Sequence, residues 1–249
     1  MPLLRRLSRF LGILRLFFFN SIFGVVMKVS LSLDKSYSED VAIMVDVLRA
    51  STTMTVAMEN FGQIISVKSI EEAERLAKKY DAVLAGERRG AAIEGFDVGN
   101  SPVEISKFNG KVLVITTSNG TRILEGMKAK VLIGSFINAN AVAKKAMDIA
   151  DNHIEIVMAG VEGRFAIEDF LGAGEIIRNL TDCNLDEMAL AAYMSSCNYD
   201  MVNDAIINSR SAHRLFELGL SNDVDFCVRR NIYDLVPEYE KGSIKGTKY

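Results

Sequence analysis

Residues 41–61 read VAIMVDVLRASTTMTVAMENF. Val41 to Val45 are apolar at every position, as a short strand covered on both faces must be. An acid, Asp46, and a cation, Arg49, end that run. Ser51, Thr52 and Thr53 then open a second apolar stretch, which the spacing extends as a helix. A strand, a polar turn and a helix in this order make one βα unit, and such units build parallel sheets.

The same unit recurs along the chain. DAVLAG leads into the long loop ERRGAAIEGFDVGNSP, KVLVIT into TSNGT, AKVLIGS into FINAN, and IEIVMAG into VEGRF. QIISVKS reads as a further strand, and IEEAERLAKKY as an amphipathic helix. These runs predict an α/β fold: a mostly parallel sheet with helices on both faces, in three α/β/α layers. After residue 181 the strand signals fade into a helical C-terminal portion. LDEMALAAYMSSC and MVNDAIINSRSAHRLFELG predict two helices, the second closed by Gly219. DVDFCVRRN reads as a last strand or an edge, and Lys241 to Tyr249 as a loose tail. The three prolines mark no linker, so residues 27–249 are expected to form a single domain.

Basic and acidic residues are interspersed and sum to a net charge of −3, which argues against a nucleic-acid partner. The three cysteines, Cys183, Cys197 and Cys227, are far apart and form no CxxC, as expected of core thiols in the cytoplasm. With only two histidines, a His-rich metal centre is poorly supported. A metal would fall to carboxylates, hydroxyls and water, a donor set suited to Mg²⁺. Residues 1–26 stand apart, with Arg5, Arg6, Arg9 and Arg15 and no acid. Their uninterrupted apolar part is too short to span a bilayer. Three readings stay open: an extension ahead of a true start at Met27, which is favoured, a membrane-surface anchor, and last a signal anchor. Membrane contact is expected only in the last two cases.

In open α/β sheets, ligands bind at the carboxyl ends of strands, where every polar loop above falls. In DVLRASTT, the start of the helix offers unpaired N–H groups to an anion, with Ser51, Thr52 and Thr53 adding hydroxyls and Arg49 a two-pronged phosphate contact. Asp46 suits a cation, a base or a nucleophile instead. The plainer alternative is a Ser51 cap and an Asp46–Arg49 pair. In TTSNGTR, Thr117, Asn119 and Thr121 surround Gly120, where the backbone can approach a ligand closely, and Arg122 follows. The long loop supplies Glu87, Asp97 and Asn100 as oxygen donors and Arg88 as an anion contact, or is only a surface loop. GRFAIEDF adds Arg164 and Glu168, although acids in a first helical turn are favoured anyway.

Together these words resemble one family, the 2-phosphosulfolactate phosphatases (ComB family). DVLRASTT, GERRGAAIEGFDVGNSP, TTSNGTR, GSFINANAV, AGVEGRFAIEDFLGAG and GLSNDVDFCV occur in the family's order and cover roughly residues 40–237. The chain departs from the family's usual words at Arg89, Ser118 and Met158. The resemblance implies an α/β hydrolase dependent on Mg²⁺, which removes phosphate from (R)-2-phospho-3-sulfolactate, a step towards coenzyme M. On that reading Asp46, Glu87 and Arg49 form the catalytic group. Asp46, Asp97 and Glu168 hold the metal. The remaining loop residues, Ser51, Thr52, Thr53, Arg88, Asn100, Thr117, Asn119, Gly120, Thr121, Arg122 and Arg164, hold the small anionic phosphoester. Two alternatives remain: a family member acting on another phosphorylated hydroxy acid, and a non-catalytic anion-binding module. Apolar helix faces near the C-terminus would allow a homodimer.

Overall fold

A computed structural model describes residues 26–249; the basic, apolar segment of residues 1–25 lies outside them. The strands are β1 (Lys28–Leu33), β2 (Val41–Val45), β3 (Phe61–Ser66), β4 (Val83–Arg88), β5 (Ala91–Ala92), β6 (Gly110–Thr116), β7 (Lys130–Gly134), β8 (His153–Met158), β9 (Asn184–Leu185), β10 (Leu235–Glu240) and β11 (Ser243–Lys248). The helices are α1 (Ala50–Ala57), α2 (Ile70–Tyr80), α3 (Pro102–Ile105), α4 (Gly120–Gly126), α5 (Ala139–Ile149), α6 (Ile167–Ile177), α7 (Glu187–Ser195), α8 (Tyr199–Ile207), α9 (Arg210–Glu217) and α10 (Ser221–Cys227). None of these helices is long and apolar enough to cross a membrane.

All the strands join one sheet, in the order β5-β4-β6-β3-β11-β10-β7-β2-β8-β1-β9. The strand β2 explains why its sequence shows no alternation. Val41, Ile43 and Val45 pack into a core shared with α5 and α6, while Ala42 and Met44 pack into the opposite core with α1. Both faces are covered, so both must be apolar. The expected α/β fold, with a mostly parallel sheet between helical layers, is what the chain forms.

The C-terminus differs from its expected form. Lys241 to Tyr249 is no loose tail: β11 pairs antiparallel with both β10 and β3, in the middle of the sheet. The turn between β10 and β11, Lys241-Gly242, has positive φ at both residues (48° and 85°). That is the backbone of a tight primed hairpin turn, so the Lys-Gly pair was the one local signal of a hairpin in the sequence. The hairpin also sets directions. Three successive antiparallel pairings, β3–β11, β11–β10 and β10–β7, make the two parallel groups run in opposite senses. Twist of about 20–25° per strand accumulates between β6 and β2 and lets loops from both groups meet. DVDFCVRRN contains the helix α10 rather than a strand, and the long C-terminal helix breaks at Asn208, where Ser209 caps α9 by accepting from the Ala212 N–H at 3.1 Å.

The helices α6 and α7 approach closely because α6 presents Gly174. A Cβ there would overlap the carbonyl oxygen of Ala192 and lie 2.8 Å from the Ser196 Cβ. Gly174→Ala is therefore expected to cost about 1–3 kcal/mol. The check is the urea midpoint, which should fall at constant slope; an unmoved midpoint would contradict this packing.

Candidate active site

The loops after β2, β4, β6 and β8 meet α9 around a cavity of about 800 Å³. Its walls carry four acids, Asp46, Glu87, Glu162 and Glu168, and five arginines, Arg49, Arg88, Arg89, Arg210 and Arg214, together with Asn100, Asn119 and Asn208.

Asp46 sits where β2 ends. Its Oδ1 accepts the Ala50 N–H at 3.1 Å, and its carbonyl accepts the Ser51 N–H at 2.9 Å. The acid thus engages the N–H groups of Ala50 and Ser51, two of those expected to meet an anion, and the Thr53 N–H bonds to the Arg49 carbonyl. The expected hydroxyl contacts also need correction. All eight residues of α1 are buried, and buried hydroxyls need internal partners. The Ser51 Oγ accepts the Asp46 N–H at 2.8 Å, Thr52 donates to the Val47 carbonyl, and Thr53 to the Asn100 carbonyl. These three side chains shape the turn and do not line the cavity.

Arg49 does line it. Its guanidinium is fixed by the Asp223 carboxylate at 2.6 Å and the Gly90 carbonyl at 2.6 Å, and the Leu48–Arg49 peptide is cis. Asp46 and Arg49 therefore form no direct ion pair; the partner is an acid 174 residues away. Glu87 organises two loops, its carboxylate accepting the Ser118 N–H at 2.6 Å and the Gly90 N–H at 2.7 Å. The Arg88 guanidinium donates to the carbonyls of Glu87 and Lys68 and to the Thr116 Oγ1.

Around TTSNGTR, Thr117 and Thr121 bond to each other at 3.2 Å, and Thr121 also bonds Ser66. Both are buried and face away from the cavity. Asn119 lines it and accepts the Glu162 N–H. Gly120 has a steric role: a Cβ there would lie 2.9 Å from that of Ala50 and 3.3 Å from the Asp46 Oδ2. Three more expected contacts are not brought to the site. The exposed Arg122 pairs with Asp34, the exposed Arg164 lies off the cavity wall, and Asp97 accepts the Leu84 N–H at 2.8 Å, fastening its loop to β4.

In place of Arg122 and Arg164, the structure supplies Arg89, Arg210 and Arg214. Arg214 donates to the Arg89 carbonyl and Arg210 to the Phe165 carbonyl, so α9 joins the loops after β4 and β8. The sequence did carry a signal for the last two: their four-residue spacing places them on one face of a helix. Asp169, next to Glu168, staples two loops by accepting the Val47 N–H at 2.8 Å and the Gly160 N–H at 2.9 Å.

Acids sharing one cavity repel. Burial above all, with the charges of Glu87 and Glu168 adding to it, raises the Asp46 pKa from 3.8 to about 7, against the Ala50 N–H and Arg49. Burial, then the charges of Asp46 and Glu168, likewise push Asp169 well up. The donors suit a hard cation: carboxylates together with the Asn100 Oδ1, which is buried without a hydrogen-bond partner. Among the described residues, no three acid, His or Cys side chains close on one point as a complete cage.

The family model described as 2-phosphosulpholactate phosphatase matches residues 27–242. The 2-phosphosulfolactate phosphatase of Methanothermobacter thermautotrophicus is 47% identical over 221 residues, covering 89% of this chain and 96% of that protein. A probable 2-phosphosulfolactate phosphatase of Clostridium acetobutylicum is 38% identical, covering 82% and 91%. One of Thermotoga maritima is 39% identical, covering 81% and 89%.

The charge crowding has a measurable consequence. With its folded pKa near 7 and its reference value at 3.8, Asp46 binds more protons folded than unfolded between those values. Its contribution to stability is therefore fully present at low pH and is lost as pH rises through about 7. In chelator-treated protein, the melting temperature should fall between pH 5 and 8, and Asp46→Asn should flatten that fall. Parallel profiles for the two proteins would rule out the raised pKa.

Proposed function

Because the chain belongs to the 2-phosphosulpholactate phosphatase family, we propose that it hydrolyses (R)-2-phospho-3-sulfolactate to 3-sulfolactate and inorganic phosphate. Water adds to phosphorus, the bond from phosphorus to the C2 oxygen breaks, and that oxygen leaves with a proton. The observation that carries this reading is the mixed wall of the cavity, with Asp46, Glu87 and Glu168 beside the arginines. A pure anion receptor gains nothing from buried carboxylates, which repel its ligand. A phosphatase uses them to place a cation against the phosphoryl group.

Mg²⁺ fits the donor set. It needs only one or two protein carboxylates, with water and phosphate oxygens completing its shell, so a full protein cage is not required. Asp46 and Glu168, whose charges repel one another, are the residues that would hold it, with the Asn100 Oδ1 as a neutral donor. When bound, the ion neutralises charge on the phosphoryl oxygens and acts as a Lewis acid. Arg49 grips the same oxygens: two of the five guanidinium N–H donors are engaged by Asp223 and Gly90, and three remain. Glu87 keeps the loops that carry Gly90 and Ser118 in place. Arg89, Arg210 and Arg214 stand at the other side for the sulfonate and carboxylate. The setting is the cytoplasm, which suits three free thiols.

Phosphate release should require Mg²⁺ and stop on addition of EDTA. Asp46→Asn should lower kcat/KM at least about a hundredfold; a nearly unchanged value would remove Asp46 from the chemistry. The substrate assignment is tested with phosphosulfolactate and an otherwise identical phosphoester that has no sulfonate. Arg210→Ala should raise KM for the first about tenfold and leave the second unaffected. Equal changes for both esters would mean that Arg210 does not read the sulfonate.

A further inference from the structure

Asp223 lies on α10, in a segment that the sequence reads as a strand or an edge, and it does not line the cavity. It is nonetheless the acid that holds Arg49. The two side chains are 2% and 3% exposed, and the Arg49 Nη1 meets the Asp223 Oδ2 at 2.6 Å. The other carboxylate oxygen, Oδ1, accepts the Ser101 hydroxyl at 2.6 Å. Ser101 in turn caps α3 by accepting the Glu104 N–H at 3.1 Å, and its chain neighbour Asn100 lines the cavity. One carboxylate therefore ties together the arginine of the β2 loop, the end of the long β4 loop and the C-terminal helices.

We infer that Asp223 is a positioning residue for the phosphoester reaction, acting through Arg49. The inference rests on the reading of the cavity as the phosphoester site. Arg49 shares the cavity with Asp46, Glu87 and Glu168, any of which attracts a guanidinium. Without a carboxylate behind it, the arginine turns onto these carboxylates and fills the place of the substrate's phosphoryl group. Asp223 holds it back with a charge-assisted bond, stronger than a neutral one, while the Gly90 carbonyl fixes the plane of the guanidinium. The remaining N–H donors then face the cavity. The strength of this arrangement lies in geometry: a buried ion pair adds little net stability over an apolar pair, but the loss of one partner strands the other.

The test compares Asp223→Asn, Arg49→Met and the double variant at a temperature where each is folded. It measures kcat/KM for phosphosulfolactate and the inhibition constant for inorganic phosphate. Asp223→Asn keeps the shape and the Ser101 contact but removes the charge. It should lower kcat/KM at least about tenfold and weaken inhibition by phosphate. Added to Arg49→Met, it should cause no further loss, because a residue that acts only through Arg49 has nothing left to position. Equal losses from Asp223→Asn in both backgrounds would assign it a general structural role and overturn the inference. No loss from Asp223→Asn, with a large loss from Arg49→Met, would overturn it too while leaving the reading of the cavity intact. If Arg49→Met itself left turnover unchanged, both would fall. Should Asp223→Asn not fold, Asp223→Glu keeps the charge, displaces it by one methylene, and is read against the same Arg49→Met background with the same outcomes.

Discussion

The helix α1 is enclosed on every side, yet it carries four hydroxyls, on Ser51, Thr52, Thr53 and Thr55, and begins at an acid and an arginine. Every polar group placed there must find a partner inside the protein. This requirement fixes the turn after β2. The hydroxyls bond to carbonyls and amides of that turn and of the neighbouring long loop, Asp46 caps the helix, and the Arg49 charge finds Asp223. The result is a rigid shelf from which one face of Asp46 and part of Arg49 open into the cavity.

The same economy of partners shapes the rest of the site. Glu87 and Asp169 are both acids whose oxygens accept one backbone amide from nearby in the chain and one from a loop distant in sequence. Each carboxylate fastens one loop to another, and the loops in turn keep the carboxylates crowded. Burial above all, and then crowding, raises the Asp46 pKa, and the clustered acids are balanced by the surrounding arginines and a divalent cation. Anion-binding and cation-binding groups therefore stand within one pocket, as phosphoryl transfer requires.

Much of the fold was legible in advance. The uninterrupted apolar run Val41–Val45 and the nearly apolar Ile154–Met158, broken only by Glu155, read as strands buried on both faces, and helices between them follow from the need for crossovers. The hairpin β10–β11 was hidden because its second strand, SIKGTK, is mostly polar and exposed, with Ile244 as its one fully buried residue. Its place in the sheet comes from backbone pairing with β3 and β10, which leaves little mark on side-chain pattern. In the site, Asp46, Arg49, Glu87, Arg88, Asn100, Asn119 and Glu168 were named from their chemistry and their loops, and all line the cavity. Ser51, Thr52, Thr53, Thr117 and Thr121 were named for their chemistry, but the structure turns them inward.

The sequence by itself determined the βα repeats, the sheet's two apolar faces and the family words that mark the loops, because periodicity and local turn chemistry are written residue by residue. Only the tertiary structure decided which way each polar group points and which distant group answers it. Arg122 meets Asp34, Arg49 meets Asp223, and Arg210 and Arg214 arrive from a helix with no motif of its own. The physical reason is that a charge is satisfied by what lies nearest in space, and a sheet that brings together loops far apart in the chain sets those neighbours without any local trace.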